Sequence, residues 1–170
     1  MDRLWSPWRS QYIQSIGNDG GSPECVFCAA IASADDDARY LLRRHERCAT
    51  LLNLYPYNSG HLLIVPYTHA GDLLALDEET YVEMTGLIRE WMATLGDVMR
   101  PQGFNIGSNI GRVAGAGIDQ HVHIHIVPRW SGDINFMPVI GDTKVISESM
   151  TETMHKLRLR FDERLGGPRA

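Results

Sequence analysis

The sequence predicts an α+β fold: an antiparallel sheet of about five strands, with one long helix and a C-terminal helix. Three observations lead there. Short apolar runs bounded by turn residues recur from about Tyr40 onward. One long stretch after Asp77 carries apolar residues at helical spacing. A second helical pattern closes the chain after Ser147 and Glu148.

The elements follow in order. Residues 1–24 read as an N-terminal arm, with Trp5 and Trp8 ahead of the glycine-rich break Gly17 to Ser22. Asp35-Asp36-Asp37 reads as a solvated turn. Ala49 to Leu54 and His61 to Val65 read as an antiparallel strand pair. The connection between them, Tyr55-Pro56-Tyr57-Asn58-Ser59-Gly60, has turn composition. Asp77-Glu78-Glu79 opens the long helix, where the dipole favours acidic residues. Its stripe of Met84, Leu87, Ile88, Trp91, Met92, Leu95, Val98 and Met99 reads as core or subunit interface, and Pro101 ends it. Phe104 to Ile110 and His121 to Val127 are the next strands, separated by the glycine-rich loop Gly111 to Gly117. The last helix carries Met150, Met154, Leu157, Phe161 and Leu165. The expected division is an arm (1–24), a main domain (25–146) and a C-terminal helix and tail (147–170).

Composition narrows the function classes. The chain has 170 residues, enough for one domain with a core, and a formal net charge of −5. That balance argues against a nucleic-acid polymer as partner, because duplex binding leans on clustered Lys and Arg. No apolar run approaches the ~20 residues of a bilayer span, so no membrane partner is expected. The polar start, Met1 to Arg9, lacks the apolar stretch of a signal peptide, and three cysteines make a poor disulfide framework. The expected compartment is the cytoplasm.

The informative segment is His121-Val122-His123-Ile124-His125-Ile126-Val127. Strand side chains alternate between faces, so three imidazoles share one face and Val122, Ile124 and Ile126 the other. Three readings compete: satisfied histidines on a half-exposed strand, a metal site built from the row, or nucleophilic catalysis by an imidazole. The loop just upstream, Asn109 to Gly117, lets backbone N–H groups approach phosphate oxygens, which favours phosphate chemistry. Cys25-Val26-Phe27-Cys28 suggests a metal or redox pair, and it lacks the βαβ setting of thioredoxin-like use. Cys48 reads as a buried small hydrophobe; His45 and His155 read as exposed.

These segments resemble the histidine triad (HIT) superfamily. His121 to Val127 followed by Pro128-Arg129 looks like its signature, alternating His and apolar residues. Asn53 to Pro66 looks like a second landmark, an Asn, a turn, then Gly-His before an apolar strand. Phe104-Asn105-Ile106-Gly107 and the loop that follows are a third. The tail Pro128 to Phe136, with Lys144-Val145-Ile146, resembles the bacterial branch that includes diadenosine tetraphosphate phosphorylases.

The resemblance implies an enzyme, a nucleotidyl hydrolase or transferase acting on adenosine polyphosphates. His123 would attack the α-phosphorus and form a covalent nucleotidyl-histidine, resolved by phosphate or water. His125 would donate to phosphate oxygens and help protonate the leaving group, and His61 would support the triad. Asn53 would bind ribose hydroxyls, Leu54 would border the base, and Asn109 with Gly115, Ala116 and Gly117 would hold phosphate oxygens. The resemblance further implies a structural zinc on Cys25, Cys28, His69 and His121, no organic cofactor, and a homodimer or higher homo-oligomer. One departure is visible: Gly115-Ala116-Gly117 lacks the side-chain donor common before the triad, which leaves phosphorolysis and hydrolysis both open. A nucleotide-binding module with little turnover and a metalloenzyme using the histidine row are the rivals.

Overall fold

A computed structural model describes residues 25–133 and 148–166. The expected N-terminal arm and the segment 134–147 lie outside the described residues. Five strands, β1 (Leu41–Arg44), β2 (Cys48–Leu52), β3 (Leu62–Pro66), β4 (Gly103–Gly107) and β5 (Ile124–Arg129), form one sheet in the order β1-β2-β3-β5-β4. Every neighbouring pair is antiparallel. Among the described residues three α-helices accompany it: α1 (Val26–Ala32), α2 (Glu78–Met99) and α3 (Met150–Arg164). The α+β expectation with a long and a C-terminal helix is therefore met.

The sheet is covered on both faces. Leu62 and Ile64 of β3, with Ile124 and Ile126 of β5, pack against Met84, Trp91 and Leu95 of α2 and Met154, Leu157 and Phe161 of α3. Leu63 and Val65, with Leu41, Ala49 and Leu51, pack against Phe27 and Ala30 of α1. This explains why β2 and β3 are buried along their whole length and show no polar alternation. On β5 the split is decisive for function, because Ile124 and Ile126 fill the helix-covered side and leave His125 to the other.

Helix α2 starts where its acidic cap requires: Asp77 accepts from the Thr80 N–H at 2.7 Å, and Glu78 and Glu79 occupy the first turn. It ends at Arg100, which takes the left-handed conformation at φ 48°. Its expected stripe is core: Met84, Trp91 and Leu95 are fully buried, and the rest of the stripe packs around them. Helix α3 begins at Met150 behind Ser149, whose Oγ accepts from the Glu152 N–H and donates to Glu152 Oε2; the expected start at Ser147 lies outside the described residues. Leu165 falls past its end and stays exposed, unlike Met154, Leu157 and Phe161. The short helix α1 was not expected from the sequence.

Two side chains outside the site settle further expectations. Cys48 is buried as expected, its thiol donating to Glu83 Oε2 at 3.3 Å. His45 is not exposed as expected. Its ring packs edge-on to Phe161 with centroids 5.8 Å apart, and Nε2 meets Thr50 Oγ1 at 3.1 Å. Burial lowers its pKa to about 4 from an ordinary 6.5. The unfolded chain therefore binds this proton first as pH falls, so stability declines between about pH 6.5 and pH 4. We expect the H45Q variant to lose less stability than wild type across that window, by roughly 2 kcal/mol at pH 4.5. Parallel thermal melts of the two proteins measure the difference.

Candidate active site and candidate metal centre

The three histidines of the row do not all sit in the ladder. β5 begins at Ile124, and the residues before it are held by other bonds. The Val122 N–H donates to the Ala70 carbonyl at 2.6 Å, and His121 Nε2 to the Pro66 carbonyl at 2.9 Å. The expected strand over His121 to Val127 thus starts three residues late. The shared-face expectation still holds for the rings, because His121 and His123 both pack against Phe27, at 5.5 and 4.8 Å between centroids. His123 and His125 lie 4.7 Å apart.

His123 is buried at 6% exposure, and its Nδ1 lies 2.8 Å from the His121 carbonyl oxygen. A carbonyl only accepts, so Nδ1 carries the proton and Nε2 holds the lone pair. Burial pushes the pKa of this ring below the ordinary histidine value, against the smaller opposing effect of the carbonyl bond. The ring is therefore neutral at pH 7, with its nucleophilic nitrogen defined. The Ser108 hydroxyl donates to the carbonyl of His123 itself at 2.7 Å, fixing the backbone that carries the ring.

A second set of bonds defines His125. The backbone N–H of Tyr57 donates to His61 Nδ1 at 3.0 Å, and the Asn53 amide nitrogen lies 3.3 Å from the same atom. His61 Nδ1 is therefore an acceptor, and its proton sits on Nε2. His61 Nε2 is 2.9 Å from His125 Nδ1, which must accept in turn. The proton of His125 is then left on Nε2. The two rings are set oppositely: His123 presents a lone pair and His125 an N–H. His61 reaches this position because Gly60, at φ 72°, turns the chain sharply into β3. The Asn53 N–H then donates to the His61 carbonyl at 2.9 Å.

The loop before the triad is a 3-10 turn, Arg112–Ala114, bracketed by Gly111 and Gly115 at φ 80° and 87°. Asn109 Nδ2 lies 3.5 Å from the Gly115 carbonyl, and Arg112 pairs with Asp119 at 2.7 Å. Ala116 is buried at the end of the loop. Leu54 is 57% exposed on the connection between β2 and β3, beside exposed Tyr55 and Tyr57. Asn53 points its amide at His61, and its Oδ1 accepts from the Tyr55 N–H at 2.9 Å.

The four expected metal ligands come together. One ligand atom from each of Cys25, Cys28, His69 and His121 lies within 4.8 Å of all the others. Cys25 Sγ is 3.3 Å from His121 Nδ1, Cys28 Sγ 3.3 Å from His69 Nδ1, and Cys28 Sγ 3.6 Å from His121 Nδ1. A tetrahedral zinc with bonds of ~2.0–2.3 Å separates its ligand atoms by about 3.3–3.8 Å, so the donor set fits such an ion. His121 suits the role because its Nε2–H is spent on Pro66, which turns the Nδ1 lone pair toward the sulfurs. Cys25, the N-cap of α1, and Cys28 in its first turn supply both sulfurs. Among the described residues this is the one group of its kind, and it takes only His121 from the row. The rival reading of a metal held by all three histidines finds no such cluster among the described residues; His121 instead turns its Nδ1 toward Cys25 and Cys28.

Sequence reasoning missed Phe27, Ser108, Tyr57 and the Pro66 carbonyl. Ser108 stands next to Asn109, but nothing in its sequence position says which carbonyl it meets. Tyr57 acts through its backbone N–H, and its ring packs on His61 and His125, at 4.7 and 5.9 Å between centroids.

The fold agrees with that of known proteins. The HIT domain family model matches residues 37–132. The chain belongs to the HIT family, as a nucleotide-processing enzyme of that family. It is 36% identical over 162 residues to an AP-4-A phosphorylase of Mycobacterium tuberculosis, covering 92% of this chain and 83% of that relative. It is 29% identical over 105 residues to the adenosine 5'-monophosphoramidase hnt1 of Schizosaccharomyces pombe, covering 62% of this chain and 74% of the relative. The crystal structure of a zinc-bound histidine triad family protein from Mycobacterium smegmatis superposes with a TM-score of 0.69 at 26% identity, over 86% of this chain and 99% of that one.

Proposed function

We propose that this protein splits adenosine polyphosphates of the diadenosine tetraphosphate type through a covalent nucleotidyl-histidine on His123. The observation that carries the reading is the pair of opposed tautomers. His123 Nδ1–H is held by the His121 carbonyl, so Nε2 is the free nucleophile. His125 receives its own hydrogen bond on Nδ1 and keeps a proton on Nε2 for the leaving group.

In the first step the Nε2 lone pair bonds to the α-phosphorus, and the bond from phosphorus to the bridging oxygen breaks. The proton on His125 Nε2 passes to that departing oxygen. In the second step an oxygen of inorganic phosphate attacks the same phosphorus, the P–N bond breaks, and His125 recovers a proton from the incoming group. The first leaving group is ATP and the second product ADP. Asn109 and the N–H groups of Gly115 to Gly117 hold the phosphate oxygens, and Asn53 and Leu54 border the nucleoside. The relative named AP-4-A phosphorylase supports phosphate over water as the acceptor.

Cys25, Cys28, His69 and His121 would hold a structural zinc, which supplies a cross-link between α1 and the segment entering β5. Four protein ligands would fill a tetrahedral zinc and leave the chemistry to the imidazoles. Reduced sulfurs of Cys25 and Cys28 set with His69 and His121 for a metal support a reducing compartment such as the cytoplasm. Among the described residues no helix is long and apolar enough to cross a membrane. Strand β4 is a sheet edge with Ile106 exposed, which supports a homodimer.

The test is incubation with diadenosine tetraphosphate, with and without phosphate. ATP and ADP formed only with phosphate is the expected result. AMP and ATP without phosphate would make water the acceptor. Nucleotide binding with no turnover in either condition would overturn the reading in favour of a binding module.

A further inference from the structure

The bonds that set His125 begin in the turn between β2 and β3, and that turn is anchored from outside the triad. Asn58 sits next to Tyr57, and its carbonyl accepts from the His61 N–H at 3.2 Å. Its side-chain nitrogen donates to the Pro128 carbonyl at 3.0 Å and to Asp133 Oδ2 at 2.8 Å. The Asp133 side chain is only 9% exposed and is fully engaged. It accepts from Arg129 Nε at 2.7 Å, from the second Arg129 nitrogen at 2.8 Å and from the Trp130 N–H at 3.1 Å. Arg129 is braced in turn by Asn105 Oδ1 of β4 at 2.7 Å.

A carboxylate in this position does more than close a strand end. Asn58 is its only link to the β2–β3 turn among the bonds just described, and that turn supplies both the Tyr57 N–H and the backbone position of His61. We propose that Asp133, acting through Asn58, is a positioning residue for proton donation by His125. The inference rests on the reaction proposed above. Asp133 touches no reacting atom: it holds Asn58, Asn58 holds the turn, and the turn holds His61 in the tautomer that leaves the His125 proton on Nε2. Loss of the link lets the turn shift, so that His61 no longer dictates which nitrogen of His125 is protonated. The step that suffers is departure of a group that must be protonated as its bond to phosphorus breaks.

The experiment compares two adenylates that differ in that need. A nitrophenyl ester of AMP expels a stable phenolate and requires no proton. An alkyl phosphoramidate of AMP expels an amine and requires one. Both are assayed at saturation, with inorganic phosphate present as acceptor, for wild type and for Asn58→Ala, which leaves the Arg129–Asp133 pair intact. The expected result is a fall in kcat of tenfold or more on the phosphoramidate and less than threefold on the ester. Asp133→Asn is the second variant and is expected to shift the same ratio in the same direction. An equal fall on both substrates, or no fall on either, would overturn the inference by reducing Asp133 and Asn58 to fold stability. Wild type inert toward both substrates would instead bring down the parent reaction, and this inference with it.

Discussion

Replacing His123 with alanine is expected to lower kcat by at least a thousandfold while the protein remains folded and keeps any metal bound by the Cys/His cluster. The magnitude follows from the role: a removed nucleophile deletes the covalent path, and neighbouring donors sustain only residual chemistry. Folding should survive because the ring contributes one hydrogen bond, to the His121 carbonyl, and contact with Phe27 and His125. Metal content should survive because His123 is not among the four clustered ligands. Nucleotide affinity should change little, since the contacts proposed to hold a substrate lie on the loop and on the β2–β3 turn. Steady-state kinetics, elemental analysis and nucleotide titration on the same preparation check all three. Equal loss of metal and activity would place His123 in the wrong site.

Cys28→Ser is expected to give the opposite pattern. Cys28 Sγ lies close to both His69 Nδ1 and His121 Nδ1, so its loss removes the ligand that bridges the two histidines. Metal should fall well below one ion per chain. A structural zinc contributes directly to folding free energy, because the unfolded chain has no preformed site. A loss of about 3–5 kcal/mol lowers Tm by about 10 °C or more in a chain of this size. A strong chelator should do the same to wild type, and added zinc should reverse it. The residual activity of folded variant at low temperature is the informative readout. Activity near wild type there means that the metal supports the fold, whereas proportional loss of activity and metal means that it takes part in the chemistry.

The sequence made the sheet and the ligand sets legible for different reasons. Apolar runs between turn residues marked β2 and β3 because those strands are buried along their whole length, whereas β5 was marked by alternation, with Ile124 and Ile126 on the buried side and His125 on the other. The helix α2 was plain because it is long, capped by Asp77 and striped on one side. The seven-residue helix α1 was not, because Cys25 makes no side-chain cap bond and no acidic residue marks its first turn. The Cys-x-x-Cys spacing spoke of a metal but not of the helix that presents it. His45 looked like a surface residue among arginines, yet Phe161, distant in sequence, covers it.

The site was legible as a set of residues and illegible as a circuit. Alternation put three imidazoles on one side, and the resemblance assigned them roles. Which nitrogen of each ring carries its proton depends on partners the sequence hides. For His123 the partner is the carbonyl two residues back. For His125 it is a ring 64 residues away, itself set by a backbone N–H. The Asn58–Asp133 contact spans 75 residues and involves types that ordinarily mark turns.

The most direct test is mass spectrometry of protein quenched during turnover of diadenosine tetraphosphate, followed by peptide mapping under mildly alkaline conditions that preserve a P–N bond. The account predicts one adenylyl group per active chain, acid-labile and located at His123. A group found on His121, His125 or His61, or turnover at full rate with no adduct at any quench time, would contradict it.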